Sequence, residues 1–237
     1  GKATVETFAK QGAVVIFCDV DKKKGLNTQK ELKQNGLQTF FFKADVSKEI
    51  QVKKLYKYII KNFKTIDTVF NNAGIEQDVT PSHKLKTKVF ERIIDVNLKG
   101  VFLSCKFALK IMEKNKKGII VNNSSISAFA NVGGNLSYAA SKGGIMSLTR
   151  VLAIEYAVKN IRVNAVCPGV IDTPMNERNL IKSKNKKALK QKWKIITPLG
   201  RVASPYELAQ TVLFLSSDMS SFVTGVGLLV DGGRAAT

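Results

Sequence analysis

The stretch Tyr138-Ala-Ala-Ser-Lys142 has the clearest capacity for chemistry in this sequence. On a helix, residues four apart stack on one face, which sets the lysine ammonium beside the phenol. A cation there favours the phenolate and is expected to draw the tyrosine down from its ordinary pKa of ~10. A tyrosine tuned in this way takes a proton from an alcohol, or gives one to a carbonyl, as hydride moves. The same pair at the same spacing also occurs by chance on helix surfaces, so its surroundings must decide. Ser125 stands thirteen residues ahead of Tyr138, at the end of a predicted strand and across a loop bearing Gly133 and Gly134. An open α/β sheet places ligand groups at the carboxyl ends of its strands. A hydroxyl there can hold a substrate oxygen and stabilise the charge that develops on it. Gly143-Gly144 within the following helix costs about 1 kcal/mol each relative to alanine, so close approach of another backbone or a ligand is expected. Asn97, in the middle of a long predicted helix, is expected to open that helix for a water.

The elements that must position these residues alternate between strand and helix. Residues 13–19 form an apolar, branched run suited to a strand buried on both faces. A polar helix opened by Asp21 stops near Gly36. Residues 39–45 form the next strand, and Ser47 is placed to cap a helix whose apolar face includes Val52, Leu55, Ile59 and Ile60. A strand over 66–70 runs into Asn71-Asn72-Ala73-Gly74. Helix then spans about 86–115, strand 118–122, helix about 137–159 and strand 161–167. Ser204-Pro205-Tyr206-Glu207 combines a capping box with proline at the first helical position, and the last strand is 227–230. This alternation predicts one α/β doubly wound domain over 1–237, with a parallel sheet and right-handed crossovers. Residues 1–10 are already helical, with Gly12 as a stop. The strand and glycine-rich turn that open a dinucleotide fold are absent ahead of them. The expectation is a domain lacking its first strand, with Gly1 as the last glycine of a phosphate loop.

Composition narrows the function classes. The 237 residues are 44% hydrophobic and 24% charged, ordinary for a globular protein, and no run reaches the ~18 apolar residues of a membrane span. Cys18, Cys105 and Cys167 are far apart and lack histidine company, which points to free thiols in a reducing cytoplasm rather than a disulfide or zinc. His83, the single histidine, sits among polar loop residues, so a Ser/His/Asp hydrolase has little to build on. The net charge of +20 raises nucleic-acid binding. However, only six of the 38 basic residues are arginine, the residue that base reading favours, and no nucleic-acid motif accompanies them. A solvated lysine surface accounts for the charge better.

Taken in order and spacing, these pieces resemble the short-chain dehydrogenase/reductase family, with subunits of ~250 residues. The resemblance runs from Gly1 to Gly233. It includes Asn71-Asn72-Ala73-Gly74, Asn97 in Val-Asn-Leu-Lys-Gly, Ser125, the Tyr138/Lys142 pair, Pro168-Gly169-Val-Ile-Asp-Thr173-Pro-Met and Val230-Asp-Gly-Gly233. It implies a proton-relay tetrad of Asn97, Ser125, Tyr138 and Lys142, with Ser125 and Tyr138 on the substrate. Lys142 would also hold the nicotinamide ribose, and Ile171 and Thr173 the carboxamide. Asn72, Ala73, Gly74, Pro168 and Gly169 would line the cofactor, and Asp45 and Val46 would cradle adenine. Asp19 ends a strand 18 residues after Gly1, near the ~20 expected for the acid on the adenosine ribose. A carboxylate there accepts from a free 2′-hydroxyl and repels a 2′-phosphate. NAD is therefore expected, with NADP left open because Lys22, Lys23 and Lys24 soften that repulsion. Residues 175–199 correspond to the family's substrate lid and carry seven lysines from Lys182 to Lys194 around Trp193. They form either an exposed amphipathic helix or a basic mouth for acidic substrates. The expected activity is hydride transfer between NAD(H) and a secondary alcohol or ketone. The alternatives are 3-oxoacyl thioester reduction with NADP(H), with the acyl group on acyl carrier protein or CoA, and a non-catalytic binding protein on the same fold. A homotetramer built on the 86–115 and 137–159 helices and the 223–233 tail is implied.

Overall fold

The computed structural model describes residues 1–131 and 133–236. Helix α1 (Lys2–Lys10) leads into β1 (Val15–Asp19), α2 (Lys22–Gln34), β2 (Thr39–Lys43), α3 (Glu49–Phe63) and β3 (Thr68–Asn71). Then come α4 (Thr87–Ile94), α5 (Gly100–Asn115), β4 (Gly118–Asn123), α6 (Leu136–Tyr156) and β5 (Ile161–Pro168). Helices α7 (Pro174–Lys182), α8 (Lys186–Ile195) and α9 (Pro205–Leu215) precede β6 (Gly227–Val230). Every strand pairing is parallel, as the strand–helix alternation requires. The ladders form two groups, β1–β2 and β3–β4–β5–β6, so β1 and β3 each pair on one side only. The start of α1 lies beside the end of β3, where a Cβ added to Gly1 would sit 3.2 Å from the Asn72 amide nitrogen.

Successive residues of a strand face opposite sides, and β4 shows that both sides are covered. Ile120 joins a cluster with Met112, Ala108, Ile145 and Val163, whereas Val121 packs with Val166, Val212 and Leu215, backed by Phe8 of α1. Full burial of each aliphatic side chain contributes about 1.5–3 kcal/mol. The core also holds a polar seam. Asn71 and Asn122 are register partners, and the Asn71 amide donates to Asn122 Oδ1 at 2.8 Å. Asn122 in turn donates to Thr149 Oγ1 at 3.0 Å, so these buried amides are paired across β3, β4 and α6.

Local signals explain most boundaries. Asp21 caps α2 by accepting from the Lys24 amide at 3.0 Å. Ser204 and Glu207 close the expected capping box on α9, with Pro205 at its first position. Ser47 does not cap α3. Its hydroxyl and amide both turn back to Asp45 Oδ1, at 2.7 and 2.9 Å, and Lys48 occupies the cap without a side-chain bond. An adjacent carboxylate out-competes the helix end for that hydroxyl. Among the described residues no helix is long and apolar enough to cross a membrane, and all three cysteines are free.

Candidate active site

The carboxyl ends of β3, β4 and β5, the start of α6 and the α4–α5 junction bring the candidate residues together. Residues 87–115 are helical throughout, but Asp95–Lys99 form a π-turn between α4 and α5. Asn97 lies inside it, fully buried. Its Oδ1 accepts from the Ile75 amide and its Nδ2 donates to the Ile75 carbonyl, both at 2.8 Å, with a further donation to Ser141 Oγ at 3.1 Å. The expected opening of the helix is present, as a π-turn of the kind that gathers at functional positions.

Ser125 follows β4 in extended conformation, its Oγ accepting from the Ser127 amide at 3.1 Å. The same hydroxyl is hydrogen-bonded to the Tyr138 side chain. Tyr138 occupies the first turn of α6 and Lys142 the second, with the ammonium 5.5 Å from the centre of the Tyr138 ring. Lys142 is buried and donates to the Asn123 carbonyl at 2.6 Å. The four expected residues therefore converge. Their electrostatics differ from the expectation drawn from spacing. Burial pushes the Tyr138 phenol up to about 12, opposed by the Ser125 hydrogen bond and reinforced by the Glu76 carboxylate. Burial likewise pushes the Lys142 ammonium down to about 8. Desolvation dominates both shifts, and neither group is a cause of the other's.

Lys142 has three donors, and the bond to Asn123 uses one. Asn123 Oδ1, nearby, is buried without a hydrogen-bond partner. These unspent polar groups fit a ribose hydroxyl. Gly74 faces the same spot, since a Cβ there would come within 3.4 Å of Asn97 Oδ1 and 3.7 Å of Lys142 Nζ. Asn72, beside Ala73, accepts from the Asn123 amide at 3.3 Å.

The remaining expected cofactor residues line the strand ends. Asp19, the last residue of β1, is exposed, with Oδ1 accepting from the Asp21 amide at 2.8 Å. Asp45 is held by Ser47 and by Arg92 at 3.7 Å, and Val46 packs against Gly100, where an added Cβ would sit 2.9 Å from Val46 Cγ2. Pro168 ends β5. Gly169 is bare because the Asp231 main chain crosses it, 2.9 Å from where a Cβ would stand. Ile171 is buried and bridges to Ala203, and Thr173 is the residue before α7. Of the glycine pair in α6, Gly144 makes room for Leu98, 2.8 Å from an added Cβ, whereas Gly143 faces open space. The close neighbour of the pair is thus a side chain of the π-turn. The expected lid is two helices, α7 and α8, neither with a fully buried residue. His83 lies exposed in a short 3₁₀ turn.

Sequence reading missed Glu76 and Gln77. Gln77 Oε1 accepts from the Ser137 amide at 2.9 Å, capping α6 one residue before Tyr138, and its Nε2 donates to the Gly134 carbonyl at 3.2 Å. Glu76 accepts from Asn179 of α7 at 2.9 Å, and burial raises its carboxyl above the usual range. Their place two and three residues after Asn-Asn-Ala-Gly was the one available signal.

Comparison with known proteins agrees with this fold. The family described as Enoyl-(Acyl carrier protein) reductase, of the short-chain alcohol dehydrogenase type, matches residues 1–235. The chain is 42% identical over 241 residues to the uncharacterized oxidoreductase YxbG of Bacillus subtilis, covering all of this chain and 87% of that one. It is 39% identical over 233 residues to the 3-oxoacyl-[acyl-carrier-protein] reductase FabG of Thermotoga maritima, covering 98% and 92%. The crystal structure of levodione reductase superposes with a TM-score of 0.97 at 33% identity, over 100% of this chain and 93% of that one.

Proposed function

Because the chain belongs to the short-chain dehydrogenase/reductase family and is an NAD(P)-dependent oxidoreductase acting on CH–OH groups, we propose that it interconverts a secondary alcohol and its ketone, with Tyr138 exchanging the proton. The observation that carries this reading is the convergence of Ser125, Tyr138, Lys142 and the Asn97 π-turn at the ends of β3–β5. Bound NAD(P) supplies or accepts the hydride. The Tyr138 hydroxyl gives its proton to the carbonyl oxygen in reduction and recovers it in oxidation. Ser125, hydrogen-bonded to that hydroxyl, holds the same oxygen and stabilises its charge. Lys142 offers its free donors to the nicotinamide ribose. Its ammonium, set against the ring, favours the phenolate whenever both are charged. Asn97 holds the π-turn open beside them.

NAD is our reading of the cofactor, supported by the exposed Asp19 carboxylate at the end of β1. Asn72, Ala73, Gly74, Pro168, Gly169, Ile171 and Thr173 would line it, with Asp45 and Val46 at the adenine and Gly1 at the pyrophosphate. A second reading, reduction of 3-oxoacyl thioesters, is favoured by the lysines of α7 and α8 and by the name of the Thermotoga relative. A homotetramer is supported by the outer face of α6 and its following turn, where Val151, Ile154 and Val158 are exposed.

Initial rates with NADH and NADPH against cyclic ketones, sugar acids and 3-oxoacyl thioesters test the reading. Tyr138→Phe in the active assay should lower kcat by ~10²-fold or more. Near-normal turnover by that variant would overturn the role given to Tyr138.

A further inference from the structure

The loop Ile75–Thr80 touches two bodies at once. On one side it is fastened to the candidate site. Ile75 pairs both main-chain groups with Asn97, Gln77 caps the first turn of α6, and the Thr80 amide donates to the Gly134 carbonyl at 2.9 Å. On the other side it reaches α7, far along the chain. Asn179 Nδ2 donates to Glu76 Oε1 at 2.9 Å, and Lys182 forms a short ion pair with Asp78 Oδ1 at 2.5 Å. The assignments alternate. Ile75 binds the site through its main chain and Gln77 through its side chain, while the side chains of Glu76 and Asp78 bind the lid.

Helix α7 buries no residue fully, so apolar packing does little to seat it. Its other side-chain bond, Asn176 to the Ile171 carbonyl at 2.7 Å, lies at the root of the lid and fixes only the start of the helix. The far half of α7 is the part that meets Glu76 and Asp78. Of the two contacts, the ion pair is largely exposed and contributes little. The Glu76 bond is half-buried and involves a charged acceptor, so it is the stronger. Arg178 and Lys182 of α7 face Glu76 from the lid, Asp78 from its own loop and Tyr138 from α6.

We infer that Ile75–Thr80 is a strap that seats the lid on the catalytic groups, with Glu76 as the positioning residue that latches α7. The inference rests on the proposed function only in that α7 covers the substrate oxygen. The latch itself is a property of the protein without substrate. Burial of Glu76 and its charge beside Tyr138 agree with a carboxyl enclosed between lid and site.

Hydrogen–deuterium exchange on the full chain, read by peptide, tests the strap. In Glu76→Ala, amides in 174–182 should exchange about five-fold faster, the order expected for loss of one hydrogen bond that closes a local unit. Strand residues 118–123 should not change. Glu76→Gln keeps an oxygen acceptor for Asn179 and should restore most of the protection. Gln77→Ala should raise exchange in both 136–142 and 174–182, because it loosens the strap at its anchored side. Unchanged α7 exchange in Glu76→Ala, or a glutamine variant as loose as alanine, would overturn the latch. Fast exchange confined to 136–142 in Gln77→Ala would overturn the strap. On a ketone reduced by the parent enzyme, Glu76→Ala should raise KM several-fold more than it lowers kcat. An intact exchange pattern in a protein that reduces no carbonyl would instead count against the proposed function and leave the latch standing.

Discussion

The side-chain amide of Asn97 closes a two-bond ring with the main chain of Ile75, accepting from its N–H and donating to its carbonyl, each at 2.8 Å. A strand-like segment leaving β3 is thereby bonded, through one asparagine, to the open turn of a helix. Replacing Asn97 by alanine strands both groups of Ile75. Each buried group left unpaired costs about 1–3 kcal/mol, so Asn97→Ala should lose about 2–6 kcal/mol in urea denaturation and most of its turnover. A variant with parental stability would show that water replaces the amide without cost.

The pH dependence of stability follows from Lys142, whose ammonium burial pushes from 10.5 down to about 8. A base with a depressed folded pKa holds fewer protons when folded than when unfolded between those two values. Stability therefore rises with pH across that window. Lys142→Met removes the ionisable group and the rise with it. Thermal melts from neutral pH to 10.5 should show the parent gaining on the variant, by at most about 3 kcal/mol. Tyr138, pushed up to about 12, acts in the opposite sense above pH 10 and is common to both proteins. A constant difference across the window would mean that water reaches the ammonium.

Cofactor choice is tested at Asp19. Asp19→Ala removes the carboxylate that would accept from the ribose 2′-hydroxyl, and the ratio of kcat/KM for NAD over NADP should fall about ten-fold or more. A parent enzyme that already prefers NADP would sink the assignment.

Assembly is tested by light scattering at micromolar concentration. A tetramer is expected from the exposed apolar face formed by Val151, Ile154 and Val158, and charge placed there (Ile154→Glu) should yield smaller species. A parent protein that scatters as a monomer would refute the tetramer.

What could be read from the sequence depended on how local its cause was. Caps and strands with nearby determinants were legible, including Asp21 on α2, the Ser204/Glu207 box and, to within a residue, the strands read over 118–122 and 161–167. Asn97 stood out because asparagine is a poor choice within a helix, although its partner Ile75, 22 residues away, did not. The pairing of Tyr138 with Lys142 was visible in a spacing of four, but the sign of the Tyr138 shift was not. That sign depends on how deeply the phenol is buried by distant elements. Ser47 misled because its rival acceptor, Asp45, sits two residues away. Glu76 and Gln77 passed unnoticed because their partners, Asn179 and Ser137, are 103 and 60 residues distant.

The π-turn at Asp95–Lys99 also sets a limit on how this chain can change length. One such turn accommodates a single extra residue within an otherwise regular helix. Deleting one residue there would restore an unbroken α-helical ladder and improve the local backbone bonding. Because the turn absorbs that residue, α4 and α5 on either side would keep their faces, with Gly100 still against Val46 and Met112 still in the core. The loss would fall on the turn itself: drawn into a regular ladder, Asn97 would give up its bonds to Ile75 and Ser141. A shortening that leaves the packing of both helices intact would thus release the segment after β3 from the candidate site.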